Sequence, residues 1–147
     1  MPNPKQPRSP CLTCGGEPAT ARYKYCSNKC QADFQYAKYI AAWKAGVKSG
    51  VQGRFAISNH LRRYLIEKHG EACQRCGWNE RHPKTGRVPL NVEHIDGRWN
   101  NCREDNLLLL CPNCHSLTLT FGNLNRGNGR SARYSKDAKA ETQNTPL

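Results

Sequence analysis

Glu93, His94 and His115, framed by Cys73, Cys76, Cys111 and Cys114, are the residues whose types and spacing could do chemistry. Glu93 is a hard oxygen donor and His115 a nitrogen donor, so together they can hold a divalent ion and leave positions open for water and substrate oxygens. His94 stands beside Glu93, and a neutral imidazole can take a proton from water near neutral pH. Metal, base and open coordination are what hydrolysis of a phosphodiester needs: the ion neutralises the phosphate and stabilises the leaving oxygen while the histidine activates the water. Neighbours on a regular strand point to opposite faces. Glu93 and His94 can therefore serve one site only where the strand ends and bends, which Ile95-Asp96-Gly97 would allow. Cys114, pinned to a metal at the start of a helix, would project His115 about 100° further round the axis towards the strands. Asn106 precedes the second strand and is either an ordinary turn residue or the hydrogen-bonding partner of the loop that carries His94.

The elements that must hold these groups in place are small and need a staple. Of 147 residues, 37% are hydrophobic, too few for a large apolar core, and nine are cysteine. Eight of the nine fall into two sets, Cys11, Cys14, Cys26, Cys30 and Cys73, Cys76, Cys111, Cys114. Thiolates two or three residues apart can both reach one tetrahedral ion, so each set is expected to bind a structural Zn²⁺, the competing reading being disulfides. The N-terminus lacks an apolar signal core and no apolar run approaches a membrane span, which favours zinc in a cytoplasmic protein with no membrane partner. Cys102 is the odd cysteine, expected as a small, partly buried hydrophobe with a free thiol. Lys and Arg exceed Asp and Glu by 23 to 11, a net charge of +12. A polyanion is the natural partner of such a chain, against the bland reading of a merely basic surface.

Along the chain, Met1 to Pro10 read as a flexible basic arm. Ser27 or Asn28 caps a helix beginning near Cys30, with Ala32, Tyr36, Tyr39, Ile40, Trp43 and Val47 at helical spacing and Gly46 and Gly50 as its stop. Lys38, Lys44 and Lys48 on or near its other face either track phosphates or are simply solvated. Gly50 to Phe55 reads as a linker. Ser58 caps a helix over 59–69 that ends at Gly70, with Leu61, Tyr64 and Leu65 inward and Arg62, Arg63 and Lys68 outward. Val88 to His94 and Leu107 to Leu110 are two antiparallel strands, and Cys111 to about Leu119 a short helix. From Thr120 onward glycine and asparagine oppose a packed element, and the arginines suit a phosphate-contacting arm.

Glu93-His94-Ile95-Asp96-Gly97, Asn100-Asn101, Glu104-Asp105-Asn106-Leu107 and Leu110-Cys111-Pro112-Asn113-Cys114-His115-Ser116 resemble the HNH endonucleases in their small phage and bacterial form. The resemblance covers roughly 61–125 and implies the ββα-metal fold. It also implies that His94 is the general base, Asn106 orients its loop, and His115 and Glu93 are ligands of Mg²⁺ or a similar ion. Aspartate or histidine is more usual where this chain has Glu93. Family members cut DNA and leave 3′-hydroxyl and 5′-phosphate ends. The four-cysteine module followed by this motif also resembles free-standing phage endonucleases, which implies that residues 1–50 add DNA contacts; the expected setting is the cytoplasm of a bacterial cell, the gene being of bacterial or phage origin.

The expected architecture is a small α+β, zinc-stabilised chain: an arm over 1–10, a treble-clef-like four-cysteine finger with a helix over 11–50, a linker over 51–57, a ββα-metal nuclease domain over 58–125 and a basic tail over 126–147. DNA is the expected partner, with Arg62, Arg63, Arg98, Arg126 and Arg130 on its phosphates. One such site most simply cuts one strand, so the expected state is a monomer or weak homodimer. The alternative from another class is a non-catalytic zinc-ribbon protein that binds nucleic acid and retains the scaffold.

Overall fold

The structure, a computed structural model, describes residues 7–54 and 56–125. Its contacts divide the chain into two compact units, Met1–Lys48 and Ser49–Leu147. Each contains one group of four cysteines.

The two units begin their cysteine groups with the same turn. In the first, the Cys11 N–H donates to the Gly16 carbonyl at 2.8 Å and the Gly15 N–H to the Cys11 carbonyl at 2.9 Å. In the second, Cys73 donates to Trp78 at 2.8 Å and Gly77 to Cys73 at 2.8 Å, in the same register. The turn closes on a residue of positive φ, +72° at Gly15 and +77° at Gly77, a conformation in which any side chain would be strained. Helix α1 (Asn28–Lys44) starts where the Ser27 hydroxyl accepts from the Cys30 N–H at 3.1 Å, so Cys26 precedes the cap and Cys30 lies in the first turn. Of its apolar stripe, Trp43 is buried, Tyr36, Tyr39 and Ile40 are half-buried, and Ala32 and Val47 are exposed. The rings of Tyr25 and Phe34 pack 5.5 Å apart. Lys38, Lys44 and Lys48 are exposed.

Ser49 and Gly50 fall in the second unit rather than closing the first. Within the stretch expected to be a linker, β1 (Val51–Gln52) pairs antiparallel with β2 (Ala56–Ile57), Val51 lying opposite Ile57. Helix α2 (Asn59–His69) is capped by Ser58, whose hydroxyl accepts from His60, and stops at Gly70 with φ +81°. Leu61 and Leu65, one turn apart, are completely buried, as is Leu109 on the strand α2 packs against. On the next ridge, Tyr64 donates to Glu104 at 2.8 Å and Lys68 pairs with the same carboxylate.

Strand β3 (Asn91–His94) runs antiparallel to β4 (Leu107–Leu110), with Glu93 opposite Leu108 and His94 opposite Leu107. It is shorter than the expected 88–94. Val88 and Leu90 are buried, but Pro89 offers no N–H, Leu90 turns back to the Val88 carbonyl at 2.9 Å, and the Val88 N–H is taken by Glu71 at 3.1 Å. That N–H, with Arg81, holds the Glu71 carboxyl below its ordinary range. Gln74 fastens the cysteine turn to the other strand, donating its N–H to Leu109 O at 2.8 Å and accepting the Leu109 N–H at 2.7 Å. Helix α3 (Pro112–Ser116) follows immediately, capped by Cys111, and ends at Leu117 instead of near Leu119. A short 3₁₀ turn, Gly122–Leu124, lies where no packed element was expected. Among the described residues, no helix is long and apolar enough to cross a membrane.

Candidate active site

Eight of the nine cysteines form two groups whose ligand atoms lie within 4.8 Å of one another, Cys11, Cys14, Cys26, Cys30 and Cys73, Cys76, Cys111, Cys114. The sulfurs of Cys14 and Cys26, and of Cys26 and Cys30, are 3.5 Å apart, and those of Cys76 and Cys111 are 3.8 Å apart. A tetrahedron with metal–sulfur bonds of about 2.3 Å has edges of about 3.8 Å, whereas a disulfide requires about 2.05 Å. All nine cysteines are free thiols. Backbone donors favour a thiolate in each set: the Cys14 N–H chiefly lowers Cys11 to about 6. At Cys73 burial acts upward, but the N–H groups of Cys111, Cys76 and Arg75 outweigh it and leave the thiol at about 6. Burial and then the neighbouring sulfurs push Cys114 up to about 12, a repulsion that a shared divalent cation relieves. Each group is thus fitted to hold one Zn²⁺.

Glu93, on the strand end, and His115, on the helix that the second cysteine group anchors, meet. Glu93 Oε2 is 2.7 Å from His115 Nδ1. Glu93 is 8% exposed. Although close, Nδ1 is buried and makes no hydrogen bond. Two ligand atoms brought together with no hydrogen bond between them fit a shared cation, so the pair suits a divalent metal. The edge of the Phe121 ring supports the imidazole, the ring centroids being 5.4 Å apart at 88°.

His94 closes β3, and the chain bends directly after it, the Gly97 N–H returning to the His94 carbonyl at 2.9 Å. Its Nε2 lies 3.6 Å from the sulfur of Cys102. Cys102 is 3% exposed, and burial pushes its thiol up to about 11, so it remains a neutral thiol under the imidazole. Asn106 is buried and braces the bend from below. Its side chain accepts the Asp96 N–H at 3.0 Å and donates to Asp96 Oδ1 at 2.9 Å and the Asn101 carbonyl at 2.8 Å, while its own carbonyl accepts from Ile95 at 2.9 Å. Asp96 also accepts from the Arg98 N–H at 2.9 Å and Asn101 Nδ2 at 2.6 Å. Burial raises the Asp96 pKa, but the Asn101, Arg98 and Asn106 donors outweigh it, and the net shift is downward. A lowered folded-state pKa means this brace supports the fold at neutral pH and is lost as acid protonates Asp96. Asn106→Ala, which strands the Asp96 N–H and the Asn101 carbonyl, is expected to cost about 1–3 kcal/mol in unfolding free energy. Denaturant melts of the zinc-loaded protein measure it, and an unshifted midpoint would show that the bend stands without Asn106.

A protein described as H-N-H endonuclease F-TflIV, from Escherichia phage T5, is 47% identical to this chain over 90 residues, which are 61% of this chain and 38% of that protein. The similarity supports the H-N-H endonuclease family. This chain spans less than two fifths of that relative's length. No family model matches, and no solved structure matches.

Of the arginines expected from the sequence to contact DNA phosphates, Arg62 departs from the outward orientation such a contact needs. It is half-buried and donates Nη2 to the Leu90 carbonyl, tying α2 to the residue before β3. Arg63 is exposed and pairs with Glu67 at 2.7 Å. Arg98 is exposed beside the bend. Arg126 and Arg130 lie outside the described residues. Asp96, Asn101, Thr120 and Asn125 were not singled out as site residues from the sequence. For the first two the Asp-Gly and Asn-Asn run after His94 was a signal. For the last two, nothing in the spacing was.

Proposed function

We propose that this chain is a metal-dependent H-N-H endonuclease that nicks or cleaves DNA by phosphodiester hydrolysis, its β3–β4–α3 segment acting as a ββα-metal unit and its first unit as a treble-clef-like finger. The observation that carries the reading is the Glu93–His115 pair, 2.7 Å apart with Nδ1 lacking a hydrogen bond, one residue from His94. Glu93 and His115 hold the divalent ion, Mg²⁺ or similar. When bound, the ion supplies charge neutralisation to the scissile phosphate and the departing oxygen. His94 takes the proton from the attacking water. Asn106 keeps the His94 bend in register with β4 through its bonds to Asp96 and Asn101. Both cysteine groups hold Zn²⁺, and the group at Cys73, Cys76, Cys111 and Cys114 sets the height of α3, and so of His115, against the strands. A net charge of +12 draws the chain onto DNA, with Arg63, Arg98, Arg126 and Arg130 as phosphate contacts.

Supercoiled plasmid tests this directly. Zinc-loaded protein incubated with Mg²⁺, Mn²⁺ or Ni²⁺ is expected to produce open circles, and the same protein without added ion is expected to leave the plasmid intact. Salt-sensitive DNA binding with no nicking under any of the three ions would overturn the reading in favour of a non-catalytic binding protein.

A further inference from the structure

The segment after α3, expected from the sequence to be helical to about Leu119 and unpacked from Thr120, touches both proposed metal ligands. Thr120 Oγ1 donates to Glu93 Oε1 at 2.6 Å, while the other oxygen, Oε2, faces His115 Nδ1 at 2.7 Å. Thr118 Oγ1 donates to the His115 carbonyl at 2.9 Å, and Phe121 packs edge-on to the His115 ring. Asn125 Nδ2 closes the segment onto the bend after His94, donating to the Gly97 carbonyl at 2.7 Å. The fit at that point is tight: a Cβ on Gly97 would lie 2.8 Å from Thr120 Cγ2 and would also collide with the Asn125 amide.

From this geometry we infer that Thr120 is a positioning residue that fixes which oxygen of Glu93 is offered to the metal. The inference rests on Glu93 and His115 being the metal pair. A glutamate has three side-chain torsions, and its carboxylate can present either oxygen or both, so ordering it costs conformational freedom. A hydroxyl donor on Oε1 occupies that oxygen and turns Oε2 towards His115. The cost is then met in the folded protein rather than on metal binding. Outer donors of this kind typically contribute 10–100-fold in metal affinity.

The test is titration calorimetry of Mn²⁺ alone into the full, zinc-loaded chain, for wild type, Glu93→Gln, Thr120→Val and Thr120→Ser. Thr120→Val keeps the shape and removes the donor, and Mn²⁺ affinity is expected to fall about tenfold or more, with two zinc ions per chain and the melting temperature retained. Thr120→Ser keeps the donor and is expected to stay within about twofold of wild type. In nicking assays the Mg²⁺ needed for half-maximal rate should rise by the same factor in Thr120→Val, with the maximal rate recovered at saturation. Wild-type Mn²⁺ affinity in Thr120→Val overturns this inference and leaves the nuclease reading standing. Equal losses in Val and Ser also overturn it, since they would assign the effect to packing against Gly97. A wild-type chain that binds no Mn²⁺, or binds it equally well as Glu93→Gln, overturns the metal pair and the inference together.

Discussion

Replacing His94 with alanine is expected to slow plasmid nicking by about 10²–10⁴-fold, the usual contribution of a positioned general base. The change should leave the fold intact for three reasons. His94 pairs with Leu107 through backbone bonds that alanine also makes, and its ring is half-exposed. The bend after it is closed by the Gly97 N–H on the His94 carbonyl and by the Asn106 network, neither of which uses the imidazole. Zinc content and DNA affinity are therefore expected to match wild type, and His94→Gln, which keeps bulk beside Cys102, should be as slow as His94→Ala. Loss of binding or zinc along with nicking would make His94 structural. Near-wild-type nicking in either variant would remove it as the base.

Those expectations draw on features that were unequally legible in the sequence. The cysteine groups, α2 and β4 were readable because each is fixed by short-range signals: ligand spacing, a serine cap with a glycine stop, and four successive leucines ending at a Cys-Pro turn. Strand β3 was overextended because apolar Val88 and Leu90 look like strand residues, while the partner that takes the Val88 N–H, Glu71, lies 17 residues away. Helix α3 was overextended for a related reason. Leu117 and Leu119 continue a helical pattern, but Leu117 is 69% and Leu119 91% exposed, so a further turn would bury nothing. Meanwhile the Thr118 hydroxyl takes the His115 carbonyl, as threonine does where it competes with helix bonds.

The site itself divides in the same way. Glu93, His94 and His115 could be singled out by donor type and spacing, whereas Asn106 read equally well as a turn residue and was named through the family resemblance. Asp96 was seen only as part of a bend, although three donors converge on its carboxylate, the Arg98 N–H and the side-chain amides of Asn101 and Asn106. Thr120 and Asn125 gave no local signal at all. Their partners, Glu93 and Gly97, are 27 and 28 residues earlier, and only the return of the chain over the bend brings them together. Arg62 was misdirected for the same reason: helical periodicity places it on an outer face, but its reach to the Leu90 carbonyl depends on where β3 begins.

Cys111→Ser is expected to have the other large effect, loss of the second unit's fold. Cys111 is 4% exposed and stands where β4 ends and α3 begins, with its sulfur accepting the Cys114 N–H at 3.4 Å. Serine is a good helix cap, so the substitution can preserve the cap and isolates the role of the sulfur as a metal ligand. Structural zinc sites contribute about 10–16 kcal/mol in small fingers, comparable to or larger than the roughly 5–15 kcal/mol by which a whole domain is stable. Beneath them this unit has a small core, Leu61, Leu65, Val88, Leu90, Leu107, Leu109 and Leu110. Removing one sulfur also leaves Cys114, whose thiol burial and its neighbours already push up to about 12, without the cation that would hold it ionised. Zinc content should fall from two ions per chain to one, because the group at Cys11, Cys14, Cys26 and Cys30 lies in the other unit. Nicking should vanish with it, since α3 carries His115 and starts between Cys111 and Cys114, two ligands of this group. Zinc assay, circular dichroism and plasmid nicking read the three consequences independently. A soluble Cys111→Ser chain with two zinc ions and full activity would show that Cys111 is not the fourth ligand and that the strands hold His115 in place unaided.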